Sequence, residues 1–215
     1  MGNQRSDSMK LDARKRKTMA ARRTLKILTL ALTQLLQVKP FEKISVIDIC
    51  EKALVPRATF YNYFDDKYDL LQYYWSTLRE MLVPERKDTE PYRPERIVEI
   101  MGNILEYVQS QYEVCRVICE VNRSSYFLDS LHAYVAGLLE DGLKDVPVEE
   151  REYSVPVSLE GELLAGAIIR TGVWWLHHRN ECELEALEVY LQQIVMDIMT
   201  SARRERRCRK GEVEI

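Results

Sequence analysis

Apolar side chains recur along this chain at spacings of three and four residues, interrupted by only seven prolines and eight glycines, and that period is helical. No run of strict alternation predicts a strand, so the pattern predicts an all-α protein. A first helix is expected over 18–37, with Leu25, Leu28, Leu32 and Leu35 as its apolar stripe, stopped by Val38-Lys39-Pro40-Phe41. Ser45 with Asp48 three residues on announces a second helix as an acidic capping box, and Ile44 and Ile49 stand where a hydrophobic staple needs them. That helix should end near Ala53. After Leu54-Val55-Pro56, a short third helix should run to about Phe64, and Asp65 or Asp66 should cap a fourth over 67–82, with Leu70, Leu71, Tyr74, Trp75, Leu78 and Met81 as its stripe. Pro84–Pro94, with three prolines among charged residues, reads as a hinge. Four more helical patterns follow, at about 94–119, 125–142, 158–179 and 183–207.

Two short helices joined by a three-residue turn have the outline of a helix-turn-helix, whose second helix enters a major groove. In Arg57–Phe64, Phe60 and Phe64 lie four apart and can anchor the helix to a core, while Ala58 keeps one face slim. Arg57, Thr59, Tyr61, Asn62 and Tyr63 are left for DNA, the arginine for guanine, the asparagine for adenine and the hydroxyls for phosphate.

Charge sharpens this picture. The chain of 215 residues has a net charge of −3 and a pI near 5.8. Yet residues 1–26 carry nine Lys/Arg against two Asp, and residues 1–67 as a whole stand at +7. The remainder stands at −10. A basic N-terminal part points to a polyanion there, and each phosphate it neutralises should steepen the salt dependence by about 0.9 log units. The longest uncharged run, Ile27–Val38, has twelve residues, short of the roughly 17–25 that a membrane-spanning helix needs. The first residues hold no apolar signal core, and five scattered cysteines fit reduced thiols, so a cytoplasmic location is expected.

The run from Ser45 through Val55-Pro56-Arg57-Ala58-Thr59-Phe60-Tyr61-Asn62-Tyr63-Phe64-Asp65-Asp66-Lys67 resembles the N-terminal signature of the TetR/AcrR transcriptional regulators over about residues 18–70. The later Tyr68-Asp69-Leu70-Leu71 and the pair Trp174-Trp175 are similar to the branch of dihydroxyacetone-kinase operon regulators. The resemblance implies phosphate contacts at Ser45 and Thr59, backbone clamps at Tyr61, Tyr63 and Lys67, and base-edge positions for Arg57, Ala58 and Asn62. Two positions depart from the family pattern: Leu54 stands where glycine is usual in the turn, and Pro56 where serine usually caps the third helix. A leucine forced to positive φ costs on the order of 1 kcal/mol. That departure keeps open a TetR-like coactivator without DNA binding of its own.

The expected organisation is a basic arm at 1–17, a three-helix DNA-binding domain at 18–66, an effector-binding and dimerising bundle at 67–207 with a linking helix at 67–82, and a tail at 208–215. In the family the last two long helices form a dimer contact. Here Gly161, Ala165, Gly166, Ala167 and Gly172 thin the helix at 158–179 while Leu163, Leu164, Ile168, Ile169 and Trp175 supply apolar area, and Leu187, Leu191, Ile194 and Ile198 would add the facing helix. Burial of the same helix within one chain is the alternative. The resemblance also implies an effector pocket, for which Tyr107, Tyr112, Tyr126, Phe127, Tyr134, Trp174 and Tyr190 are the aromatic candidates.

Cys115 and Cys119, four apart, with His132, His177 and His178, could be imagined as a metal or redox group, but ordinary packing explains them, and no metal or cofactor is expected. No glycine-rich phosphate loop, nucleophile elbow or zincin motif suggests an enzyme. Met1-Gly2-Asn3-Gln4-Arg5-Ser6 fits an N-myristoylation pattern and makes a membrane-surface protein the rival of another class. The expected function is a homodimeric regulator, read as a repressor, that binds a near-palindromic double-stranded operator and is released from it by an unidentified small molecule.

Overall fold

A computed structural model describes residues 18–83, 95–144 and 156–194, and the described residues are helical with no strand. Two compact units emerge. The first comprises the described residues up to Arg79 together with Val117–Leu128, and the second comprises Glu80–Arg116 and the residues from Asp129 on.

In the first unit, α1 spans Met19–Leu36, and Thr18 caps it by accepting the Ala21 N–H at 3.2 Å. Its buried side is Ala21, Leu25, Leu28, Ala31, Leu32 and Leu36. Leu36 thus takes the innermost place expected for Leu35, because the stripe follows the steps 25, 28, 32, 36 down one face. A 3-10 turn at Phe41–Lys43 precedes α2, which spans Val46–Ala53, and both halves of the capping box between Ser45 and Asp48 form. Ile44 and Ile49 are both buried, as the staple requires. α3 spans Arg57–Tyr61 and ends sooner than expected, Asn62 and Tyr63 continuing as a turn that leaves the Phe64 N–H bonded to the Phe60 carbonyl at 3.0 Å. Of the two candidate caps for α4, Lys67–Leu82, Asp66 does the work: its Oδ1 accepts the N–H groups of Tyr68 and Asp69 at 2.8 and 2.9 Å. Phe41, Ile49, Phe60, Phe64, Leu70 and Leu71 form a sealed core, all at 0% exposure. Each such side chain contributes roughly 1.5–3 kcal/mol by burial.

In the second unit the single helix expected at 94–119 is two, α5 at Glu95–Ser110 and α6, Tyr112–Val121, whose last residues belong to the first unit. The break falls at Gln111, whose N–H still reaches Tyr107 O at 3.0 Å and whose carbonyl still accepts from Cys115 at 2.9 Å. With neither Gly nor Pro there, periodicity reads straight through it. α7 spans Tyr126–Lys144 and α8 spans Val157–His178, while 184–194 is helical as α9. Gly161 lets α8 approach α7 closely, since a Cβ there would lie 3.0 Å from the Ala136 carbonyl oxygen. No helix of the described residues is long and apolar enough to cross a membrane.

Candidate nucleic-acid interface

The turn between α2 and α3 places the face that α3 presents. Leu54 ends α2 with φ 55° and ψ 40°, the left-handed conformation, and is the one non-glycine residue of positive φ among those described. Its N–H donates to Glu51 O at 3.2 Å, and the Val55 N–H donates to Cys50 O at 3.0 Å. That pair is the Schellman closure usually built on glycine. The turn therefore keeps its shape and carries the strain in the backbone of a residue that is 92% exposed. Pro56 then leads into α3 with extended ψ and no side-chain cap.

On α3, Phe60 and Phe64 point inward, their rings 5.6 Å apart. Arg57, Ala58, Tyr61 and Asn62 are exposed together, with Thr59 and Tyr63 half-buried at the edge. Tyr61 meets Phe60 edge-on at 5.5 Å and is itself exposed. The Arg57 guanidinium lies near enough to Cys50 to oppose the rise in thiol pKa that burial causes.

Two of the expected phosphate contacts are engaged inside the protein. Ser45 Oγ accepts the Asp48 N–H at 3.1 Å and donates to Asp48 Oδ2 at 2.7 Å. Lys39 pairs with the same carboxylate at 2.9 Å, and these bonds, first those from Lys39 and Ser45, lower the Asp48 pKa to about 2. Lys67 differs more from its expected place as a clamp. Its ammonium donates to Phe41 O, Glu42 O and Ile44 O at 2.9, 3.0 and 2.9 Å, and it lies 4.7 Å from the centre of the Phe41 ring. Three N–H donors meet three carbonyls, so Lys67 latches the 3-10 turn to the start of α4. Burial pulls its pKa down, with Glu42, Asp66 and Asp48 opposing.

The aromatic set expected around an effector is divided between the two units. Tyr126 stacks on Phe41 at 5.8 Å and Phe127 packs on Trp75 at 4.9 Å, both inside the first unit. In the second unit Tyr112 packs against Trp175 and donates its hydroxyl to Leu176 O at 2.9 Å. Tyr107 and Tyr134 are half-buried, and Trp174 and Tyr190 are exposed. A depression of about 360 Å³ in that unit is lined by Gln109, Trp175, Arg179, Asn180, Cys182, Glu183 and Leu184, none of them in the expected set.

Part of the expected dimer face is covered within the chain. Gly161, Ala165, Trp175, Leu187 and Leu191 are buried within the single chain, where the small residues bring helices together. Ile168, Ile169, Gly172 and Ile194 are half-buried, and Ile198 lies outside the described residues. Leu159, Leu163 and Trp174 on α8 and Val189 and Tyr190 on α9 are the large apolar groups left exposed there. Among the described residues no three His, Cys, Asp or Glu side chains converge as a metal site. Burial raises the Cys115 pKa to about 11, which keeps that thiol protonated.

Residues 28–74 match the family model described as bacterial regulatory proteins, tetR family. Similar solved structures include a putative TetR-family transcriptional regulator from Syntrophomonas wolfei str. Goettingen, 22% identical with a TM-score of 0.57 over 85% of this chain and 97% of that one. A TetR transcriptional regulator from Streptococcus agalactiae 2603V is 26% identical, with a TM-score of 0.52 over 81% and 94% of the two chains. The dihydroxyacetone kinase operon activator DhaS aligns at 22% identity and a TM-score of 0.49 over 83% and 94%, a likeness that decides no branch. No curated protein matches the chain. The family described is one of regulators, not of enzymes.

Proposed function

We infer, from the match of residues 28–74 to the tetR family of bacterial regulatory proteins, that the chain is a transcriptional regulator acting as a homodimeric, cytoplasmic repressor released from its operator by a small molecule. The observation that carries the DNA reading is the shape of α3: Phe60 and Phe64 are buried while Arg57, Ala58, Tyr61 and Asn62 share the exposed side. A helix so anchored presents a guanidinium, a slim alanine, a phenol and a carboxamide to a major groove. Support for a coactivator without DNA binding rested on the turn at Leu54, and the turn closes with both of its hydrogen bonds. The exposed apolar groups Leu159, Leu163, Trp174, Val189 and Tyr190 support association of two copies. Two-fold symmetry would then demand a near-palindromic operator with half-sites about one helical turn, or a multiple, apart. An effector needs only about 1–3 kcal/mol of coupling to change operator affinity some tens-fold.

The test uses labelled duplexes from the DNA flanking the coding sequence, at fixed salt, with and without the variants. Arg57→Ala should weaken specific binding by about 1–3 kcal/mol and relax preference at its base. If Arg57→Ala and Tyr61→Ala together leave specific binding unchanged, α3 is not the reading helix.

A further inference from the structure

Asn122 is at 0% exposure in the first unit, a buried polar side chain contributed by a segment that follows α6 rather than by the helix-turn-helix. All of its amide positions are used. Nδ2 donates to Leu36 O and to Ile118 O, each at 2.9 Å, and Oδ1 accepts the Phe41 N–H at 2.9 Å and the Ser125 hydroxyl at 3.3 Å. Reversing the amide would set the oxygen against two carbonyls and the NH₂ against an N–H, so only one orientation satisfies the site.

The places it touches matter more than their number. Leu36 is the last residue of α1 and Phe41 the first of the 3-10 turn, so one side chain bridges both ends of the connection 37–40. The orphan carbonyl at the end of α1 and an otherwise unpaired N–H are satisfied together. The 3-10 turn answers in kind: Glu42 Oε1 accepts the Tyr126 N–H at the start of α7, where Ser125 Oγ also accepts from Phe127 at 3.2 Å. Tyr126 then stacks on Phe41 and meets Tyr68 edge-on at 5.0 Å. Two chain reversals, 37–45 and 122–127, thus cap one another.

α2 begins one residue after that node, from Ile44 and Ser45, and α3 hangs from α2 through the fixed turn at Leu54. We propose that Asn122, with Glu42, is a positioning pair for operator reading: it sets the angle at which α2 and α3 leave α1, so the DNA-reading unit includes residues 117–128. This rests on the DNA-binding reading above. It predicts that loss of the clamp spoils the fit to one sequence while leaving attraction to phosphate intact, because the basic and hydroxyl groups stay on the surface.

The experiment uses the full chain carrying Asn122→Ala and, separately, Glu42→Ala, whose exposed side chain can be removed without opening the core. Backbone hydrogen exchange is followed by peptide, and affinity is measured for the preferred flanking duplex and for a scrambled duplex of equal length. The expected result is faster exchange confined to residues 36–45 and 122–128, with specific affinity down about tenfold or more and scrambled binding changed less than about twofold. Unchanged exchange at 36–45 overturns the clamp. Exchange raised equally in α5 and α8 overturns a positioning role in favour of general destabilisation, and local opening with an unchanged ratio of specific to scrambled binding overturns the link to α3. Should Asn122→Ala fail to fold, Glu42→Ala decides by the same outcomes. If the unaltered chain prefers no duplex, the proposed function fails, and exchange still judges the clamp.

Discussion

Replacing Leu54 by glycine should make the protein more stable, an unusual outcome for deleting a large apolar side chain. Leu54 has φ 55° and ψ 40° and is 92% exposed. A non-glycine residue in that conformation costs about 1–2 kcal/mol, from the approach of Cβ to the following carbonyl. Glycine removes that cost and adds back about 0.5–1 kcal/mol through the larger freedom of the unfolded chain. Almost no burial is lost, so the net gain is about 0.75 kcal/mol, the midpoint of a range of about 0–1.5. For a chain of this length that is a rise in Tm of about 1–4 °C. Leu54→Ala is the control, because it deletes the side chain and keeps the Cβ, and it should change stability by less than about 0.5 kcal/mol. Leu54→Asn should fall between, since asparagine tolerates the left-handed region better than leucine. Urea unfolding of the four proteins, compared at equal m, measures the series. If alanine stabilises as much as glycine, exposure of the leucine and not backbone strain is the cause. If glycine destabilises, the strain argument is wrong.

Acid should weaken the first unit through Asp48. Its pKa is lowered from 3.8 to about 2, so the stability it contributes is present above pH 3.8 and lost as pH falls through 2. With the carboxylate 31% exposed, solvent screening leaves about 1 kcal/mol of that contribution, which Asp48→Asn should abolish in unfolding curves compared between neutral and acid pH. Lys67→Met should lower stability by about 2 kcal/mol, because three carbonyls lose a charged donor, while the salt slope of DNA binding stays as it was. A slope shallower by about 0.9 would instead mark Lys67 as a phosphate contact. Leu163→Glu combined with Trp174→Ala should convert a dimer to a monomer in sedimentation, and an unchanged mass would move the interface elsewhere.

What could be read along the chain was what local chemistry encodes. Ser45 and Asp48 lie three apart, Ile44 and Ile49 five, Phe60 and Phe64 four, and each pair forms as expected because its partner is within one or two helical turns. The linking helix at Lys67–Leu82 was equally legible from its cap and its stripe. Direction was not. Tyr126 and Phe127 carry the aromatic groups expected of a pocket, yet they face Phe41 and Trp75 in the first unit. In α8 the glycine and alanine positions suit close packing against either α7 or a second copy, and one-chain periodicity treats these alike. Asn122 reads in sequence as an ordinary asparagine after a helix, whereas its partners Phe41 and Leu36 lie 81 and 86 residues away. A division by chain order at residue 66 separates it from a unit in which it is buried.

The internal use of two lysines also relocates the attraction for DNA. Residues 27–67 hold five basic side chains, but Lys39 is paired with Asp48 and Lys67 is enclosed by carbonyls. Those two charges stabilise the connection between α1 and α2, and a phosphate could recruit them only by breaking bonds that hold α2 in place. Arg57 remains on α3, Lys43 in the 3-10 turn and Lys52 on α2 are exposed, and Arg22, Arg23 and Lys26 stand exposed on α1, continuous in sequence with six more basic residues before them. On the proposed function, the electrostatic pull is strongest at the start of α1, where three exposed basic residues stand together, and sequence discrimination falls to α3. The connection 37–45 that joins them must then be stiff, or the strong, unselective end would bind without bringing the selective end into register. Lys67 from one side and Asn122 from the other supply that stiffness at the single point where α1 turns into α2.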